Sequence, residues 1–304
     1  MNSRTLINLL LLLMLLAFIS FYVNTKNKTI DVQRLTSLSL EEINNIRIPR
    51  NDNADIILQK NTYPDGETAW YMVKPYAIKA HQFRVNTLLA LSQTPVDESY
   101  DIQTLNLGHY ALDKPRARII FNSIEISFGK SNPLNNKRYL MSGDKLVLVN
   151  DESYPLVSAQ AATFVDLSLL SGKKITALTL PDLEIKQTET AHWKSTSGTL
   201  TDNALSADQI QTLLENWRSA QAFAVHKYMP RKKLGMIEIT LSDSIINFEL
   251  SDDEPWLILA RPELGIEYHL DSSLKKKLFA PFDPISAPTE AMPTQTETSG
   301  VSDA

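Results

Sequence analysis

The stretch that decides the fold reads SADQIQTLLENWRSAQA and covers residues 206–222. Ser206 and Gln209 form the S-x-x-Q pattern of a capping box, which predicts that a helix begins at this point. The apolar residues that follow recur at the i, i+3, i+4 and i+7 spacing of one helix face: Ile210, Leu213, Leu214 and Trp217. This stripe predicts an amphipathic helix with one buried side.

Strand-like segments surround this helix on both sides. Before it lie KKITALTL (173–180), LEIKQ (183–187) and AHWKS (191–195); after it lie GMIEITL (235–241), SIINFEL (244–250), PWLILAR (255–261) and GIEYHL (265–270). Apolar residues alternate in part, as in Ile237, Ile239 and Leu241, which indicates one buried sheet face. We therefore expect an antiparallel-rich sheet with one helix packed on it, an α+β arrangement.

The same order of elements occurs earlier in the chain. Its segments are NNIRIPR (44–50), ADIILQK (54–60), AWYMVKP (69–75), the helical KAHQFRVNTLLALSQT (79–94), ARIIF (117–121), SIEISFG (123–129) and KLVLVN (145–150). Trp70 and Trp193, and the leucine pairs 88–89 and 213–214, recur at nearly constant separation. Such self-similarity predicts an internal duplication. We expect two related α+β units, residues 42–157 and 158–283.

The N-terminal run TLINLLLLLMLLAFISFYV, residues 5–23, contains no charged residue. Its length is near the ~20 residues that a helix needs to cross a bilayer. A cleaved signal peptide would end in an A-x-A-like site, which this run lacks. The sequence therefore predicts an uncleaved transmembrane signal anchor over residues 1–23. Arg4 precedes the run, and Lys26 and Lys28 follow it, so the positive-inside rule gives no orientation.

Two polar segments flank the predicted units. Residues 24–41 read as a linker. The tail PISAPTEAMPTQTETSGVSDA, residues 284–304, is rich in Pro, Thr, Ser and Glu and has few large apolar residues. It cannot bury enough surface to offset chain entropy, so we expect it to be disordered.

The composition excludes several kinds of chemistry. The chain has no cysteine, so disulfides, thiolate metal sites and cysteine nucleophiles are absent, and its net charge of −5 does not suit nucleic acid. The five histidines do not stand at metal-ligand spacing: His81, His109, His192, His226 and His269. Gly129-Lys130-Ser131 resembles the end of a phosphate loop, but Ile124 occupies the place of the required glycine, so we expect a turn after a strand. The sequence predicts no catalytic, cofactor-binding or metal-ligating residue and no cofactor.

A set of residues in the first half carries a family resemblance: Trp70, Pro75, Ala80, Leu88, Leu89, Tyr110, Leu112, Asp113 and Pro115. Together they resemble the bacterial family called domain of unknown function 4340, most strongly from about Ile46 to Trp193. Ala111 replaces the usual glycine of Y-G-L-D, and His81 replaces a common aspartate. The resemblance implies a single N-terminal anchor, an ectodomain outside the cytoplasmic membrane, and association with ABC transporters similar to the gliding-motility auxiliary type. It implies no established catalytic residues.

Three functions are open at this point. The first is a non-catalytic scaffold or auxiliary component of an ABC-type transporter complex, held in the inner membrane by one span, with its ectodomain in the periplasm. Its expected partners are the membrane itself and a transporter permease or related envelope proteins. The second is a periplasmic glycan- or peptide-binding module, with Trp256 or Tyr268 as stacking residues. The third is a hydrolase that would use His81, His192 and Asp113.

Overall fold

The computed structural model describes residues 12–20, 33–62, 68–96, 98–150, 152–190, 192–197, 205–251 and 254–279. Two units are found, and they meet in the sequence between Phe164 and Val165. Each unit contains one antiparallel sheet with a few helices. The predicted α+β class with two sheet units is therefore confirmed.

The first unit is built on a nine-stranded sheet. Residues 12–20 are helical and are labelled α1. The other elements are β1 (Asn45–Ile48), β2 (Ile56–Thr62), β3 (Thr68–Lys74), β4 (Ile78–Lys79), α2 (Gln82–Ser92), β5 (Ser99–Asp101), β6 (Ala117–Phe121), β7 (Ile124–Ser131), β8 (Lys137–Ser142), β9 (Lys145–Asn150) and α3 (Tyr154–Val157). The strand order is β4-β3-β2-β1-β6-β7-β8-β9-β5.

The second unit is built on an eight-stranded sheet. Its elements are β10 (Ile175–Leu180), β11 (Leu183–Gln187), β12 (Trp193–Ser197), α4 (Ala207–Ser219), β13 (Ala224–Lys227), β14 (Gly235–Leu241), β15 (Ile245–Leu250), β16 (Trp256–Arg261), β17 (Ile266–Asp271) and α5 (Leu274–Phe279). The strand order is β12-β11-β10-β14-β15-β16-β17-β13.

The two sheets use one topology. Apart from the short β4, the strands correspond one to one in both orders. Three of the matched strands precede α2 in the first unit and α4 in the second. In both units the strand after that helix lies at the far edge of the sheet, and a four-stranded meander fills the space between. A shared order of this length supports the internal duplication that the sequence predicted.

The tryptophans that suggested the duplication lie in corresponding strands but differ in burial. Trp70 is the third residue of β3 and is buried, whereas Trp193 begins β12 and is half-buried. His192, its neighbour, is exposed. The prediction of the strand is therefore correct, but the two side chains do not have the same surroundings.

The helices cover one face of each sheet with the residues that the sequence marked as apolar. Leu88 and Leu89 of α2 are buried, as are Leu213 and Leu214 of α4. The capping box of α4 is present: Gln209 N donates to Ser206 Oγ at 3.2 Å, and Ser206 N donates to Gln209 Oε1 at 2.9 Å. α4 packs against β10, β12 and α5, while α2 packs against β3 and α3. Local patterns therefore predicted both core helices.

Trp217 connects the two helices of the second unit. Its side chain is fully buried, and its indole Nε1 donates to the carbonyl oxygen of Leu278 in α5 at 2.9 Å. Its ring lies against Phe248 and, edge-on, against Phe279, with centroid distances of 6.5 and 5.9 Å. This arrangement satisfies the only polar atom of a large buried ring.

The backbone of the family-motif segment, residues 110–113, lies close to β7 in the sheet of the first unit. A Cβ added at Gly129 would lie 2.3 Å from the carbonyl oxygen of Tyr110 and 3.0 Å from Leu112 Cγ, so this position requires glycine. Gly129 lies within β7, so the expected turn at this point is wrong. Ala111, which stands where the family has glycine, adopts φ 54°, in the left-handed region. The family glycine therefore has a conformational explanation.

His81, the other departure from the family pattern, precedes the first residue of α2. It occupies the N-cap position, and its side chain makes no capping hydrogen bond to the helix. Aspartate at this position would accept such a bond and would also favour the positive end of the helix dipole. The aspartate common in the family is thus explained by capping.

The N-terminal segments are described only in part. The predicted anchor, residues 1–23, lies outside the described residues apart from α1. None of the helices in the described ranges combines the length and the apolarity needed to cross a bilayer. Part of the predicted linker is ordered, since Leu35 N donates to Thr94 O at 2.9 Å and Leu35 is buried. The predicted disordered tail, 284–304, lies outside the described residues.

Candidate functional site

The two faces of the sheet in the second unit differ in character. Because side chains alternate along a strand, Tyr268 faces the helix side, whereas Glu267 and His269 face the other side. Strand pairing places His226 of β13 opposite Glu267, and Ile258 of β16 opposite His269. Side chains from three neighbouring strands therefore meet on the sheet face opposite α4: His226, Glu267, His269 and Ile258.

Glu267 is the centre of this group. Its side chain is only 1% exposed, and it accepts a hydrogen bond from Arg231 NH1 at 2.6 Å and one from the Met229 amide at 3.0 Å. The Nε2 atom of His269 lies 2.8 Å from its other oxygen. We call the following residues the β17 cluster: Phe223, His226, Arg231, Trp256, Glu267 and His269.

The donors decide the charge state of Glu267. Burial by itself raises the pKa of this carboxyl group, but donation by Arg231, His269 and the Met229 amide outweighs burial and holds the pKa below its ordinary value. Glu267 is therefore ionised at neutral pH, and its negative charge is balanced mainly by Arg231.

Two histidine rings pack against each other at a tilt within the β17 cluster. The ring centroids of His226 and His269 are 4.5 Å apart. Burial, and then the nearby His269, lower the pKa of His226 below its ordinary value, against an opposing influence from Glu267. The imidazole of His226 is therefore neutral near pH 7, and its side chain reaches solvent.

An aromatic pair forms the rim of the β17 cluster. Phe223 and Trp256 pack edge-on with centroids 5.1 Å apart, and they are 50% and 44% exposed. Of the two stacking residues that the sequence suggested, Trp256 is thus at the surface. Tyr268 is 1% exposed and belongs to the core, where burial raises its pKa to about 12. Tyr268 cannot contact a ligand on this face.

The connection from β13 to β14 crosses this same face, and we call residues 228–234 the strap. The carboxylate of Glu267 binds the middle of the strap, since it accepts hydrogen bonds from the Met229 amide and from Arg231. Glu249 of β15 lies 3.3 Å from both the Tyr228 hydroxyl and the Lys233 ammonium group. Because Glu267 is enclosed and fully engaged, its role in this geometry is to fix the strap. The exposed His226, Phe223 and Trp256 are the groups that can meet a ligand or partner.

The residues suggested for a hydrolase have other surroundings. His81 precedes α2 in the first unit, and Asp113 lies exposed in a turn of the same unit. His192, in the second unit, is exposed, and its Nδ1 lies 3.2 Å from Thr190 Oγ1. No group of three or more potential metal ligands occurs among the residues with described positions.

The comparison with known families provides the assignment. The family described as Domain of unknown function (DUF4340) matches residues 70–235, more than half of the chain. The chain belongs to the DUF4340 family. The DUF4340 match begins at Trp70 in β3 and ends at Gly235, the first residue of β14, so it extends from one unit into the other. It includes Phe223 and the strap but not the later strands of the β17 cluster. No curated protein and no solved structure matches the chain significantly.

Proposed function

We propose that this DUF4340 protein is a non-catalytic envelope protein that is anchored in the inner membrane and serves as a scaffold or auxiliary component of an ABC-type transporter complex. The observation that supports a membrane anchor is the exposed apolar surface of α1. Its large apolar residues, from Leu12 to Ile19, are each between 49% and 71% exposed. Such a surface is unfavourable in water and favourable in lipid, which supports a membrane anchor at this segment. The periplasmic side of the ectodomain is proposed from the family resemblance.

The β17 cluster supports a binding role in place of a catalytic one. A catalytic carboxylate must reach its substrate, whereas that of Glu267 is enclosed and saturated by three donors. The exposed part of the cluster offers Phe223 and Trp256, and the strap adds Met229; these residue types are enriched in protein interfaces. We propose this surface as the contact with a transporter permease or a related envelope protein, the partner class that the family resemblance implies.

Co-purification tests this proposal. The full-length protein would be tagged, extracted from its own membranes in a mild detergent and recovered with its bound proteins. We expect permease and ATPase subunits in stable proportion, and their loss when Phe223 and Trp256 are both changed to alanine. Phe83→Ala is the matched control, since Phe83 is 74% exposed on α2 of the first unit. Recovery of the wild-type protein alone would contradict the proposal.

A second candidate function is glycan or peptide binding. The specific observation in its favour is the exposed aromatic pair beside an imidazole, because sugar rings and side chains stack on such surfaces. Thermal unfolding of the protein against a panel of glycans and peptides would reveal this activity. A stabilising ligand whose effect is lost in Trp256→Ala and kept in Phe83→Ala would favour this candidate over a scaffold.

A further inference from the structure

The first unit contains a polar groove that neither candidate function uses. It has a volume of about 210 Å³ and lies between the connection from β1 to β2 and the beginning of β6. Its lining residues are Pro49, Arg50, Asn51, Asp52, Asn53, Pro115, Arg116, Ala117 and Arg118. Three guanidinium groups and one carboxylate thus border a small concave space, so the groove has an excess of positive charge.

One of the three arginines is already committed. Arg50 NH2 donates to the carbonyl oxygen of Ala159 at 2.5 Å, and the Arg50 amide donates to Asp55 at 3.1 Å. Asp55 is also paired with Arg47 at 3.9 Å, and its charge acts on Arg50 as well, so the negative charge of Asp55 is shared between these two arginines. Asp52 is the single carboxylate in the lining, and it is exposed.

The other two arginines, Arg116 and Arg118, make hydrogen bonds through their backbone groups and not through their side chains. Arg116 N donates to Phe128 O at 2.8 Å, and Arg118 pairs with Ser127 in the β6–β7 ladder. Arg116 lies in the bend just before β6 and Arg118 lies within β6, and both residues line the groove. Within the described part of the unit, neither guanidinium group has an ion pair or a side-chain hydrogen bond. Two adjacent cations without acceptors remain in a preformed groove.

We propose that this groove binds a phosphate group through Arg116 and Arg118, with the amide side chains of Asn51 and Asn53 as further donors. The planar guanidinium fork matches two oxygens of a phosphate, and two such forks side by side favour a tetrahedral dianion over a single carboxylate. The volume leaves room for a small substituent, so the ligand class is a phosphate ester. Its source is either a soluble phosphorylated molecule or an anionic lipid headgroup.

The test uses the full chain in a non-ionic detergent, titrated with glycerol 3-phosphate in a calorimeter at low salt. We expect saturable binding that Arg116→Gln and Arg118→Gln each weaken about tenfold or more, the loss of one charge-assisted contact. Lys130→Gln, which removes the same charge from an exposed position of β7 outside the groove, should bind as the wild type does. Circular dichroism melting curves would establish that all variants fold.

A second arm identifies the source. The same proteins in nanodiscs of phosphatidylcholine, with and without phosphatidylglycerol, would be compared by hydrogen exchange at residues 49–53 and 115–118. Glycerol 3-phosphate binding supports the proposal with a soluble ligand. Protection that requires phosphatidylglycerol and disappears in Arg116→Gln supports it with a lipid. The proposal is overturned if neither of these two results is obtained. It is also overturned if Lys130→Gln loses binding as much as the arginine variants do. Because this outcome does not depend on co-purified subunits, it is separate from the fate of the transporter proposal.

Discussion

Replacing Glu267 by glutamine should release the strap from the sheet of the second unit. The wild-type carboxylate is 1% exposed and accepts from Arg231 at 2.6 Å and from the Met229 amide at 3.0 Å. Removing one member of a buried ion pair typically costs about 3–5 kcal/mol, because the remaining charge stays desolvated. The side chain of Arg231 is 22% exposed and can regain some water. We therefore expect a loss near the lower limit, about 3 kcal/mol.

Glu249→Gln is the matched control, since Glu249 holds the same strap. Its contacts with Tyr228 and Lys233 are both 3.3 Å long, and its side chain is 25% exposed. Partly exposed pairs of this kind contribute about 1 kcal/mol or less. Urea unfolding of the full chain in detergent, followed by tryptophan fluorescence, would measure both variants. Equal midpoints for the two would refute the argument that Glu267 fixes the strap.

Three further predictions concern the core, the motif and pH. Leu213→Ala should lower the free energy of unfolding by about 2–5 kcal/mol, because Leu213 is fully buried in α4, whereas His192→Ala should change it by less than about 0.5 kcal/mol; urea unfolding distinguishes them. Gly129→Ala should cost more than Gly143→Ala in thermal unfolding, because its Cβ would meet a backbone oxygen at 2.3 Å, while Gly143 has open space and only the strain of φ 58°. Burial, and then His269, lower the pKa of His226 in the folded protein, so the unfolded chain binds the proton more tightly. Stability should therefore fall as pH drops below about 6.5, and His226→Asn should flatten that dependence in urea titrations at several pH values.

Local patterns predicted the parts of the fold that depend on neighbours in the sequence. The capping box at Ser206 and the stripe ending at Trp217 are both present, since each arises within one or two helical turns. The duplication was visible as well, because element order survives even where identity is low. The structure also explains the motif around Ala111: this residue adopts φ 54°, a conformation that favours the glycine usual at this position.

The candidate site could not be predicted in the same way. His226 and His269 meet because β13 pairs with β17, and nothing near either histidine specifies this pairing. The sequence pattern also did not show that Trp256 is exposed, because PWLILAR is a nearly continuous apolar run whose two strand faces are alike in composition. Phe83 is 74% exposed although it stands beside the buried stripe of α2. Long-range pairing, and not local propensity, decides which of these side chains reach the surface.

The most direct test of the proposed anchored ectodomain is the activity of alkaline phosphatase fused to the C-terminus of the full-length chain, since this enzyme is active only after export. We predict an active fusion that stays with the membrane fraction, and an inactive fusion when residues 1–23 are deleted. An inactive full-length fusion would contradict the account, because it would place the second unit, and with it the β17 cluster, on the cytoplasmic side.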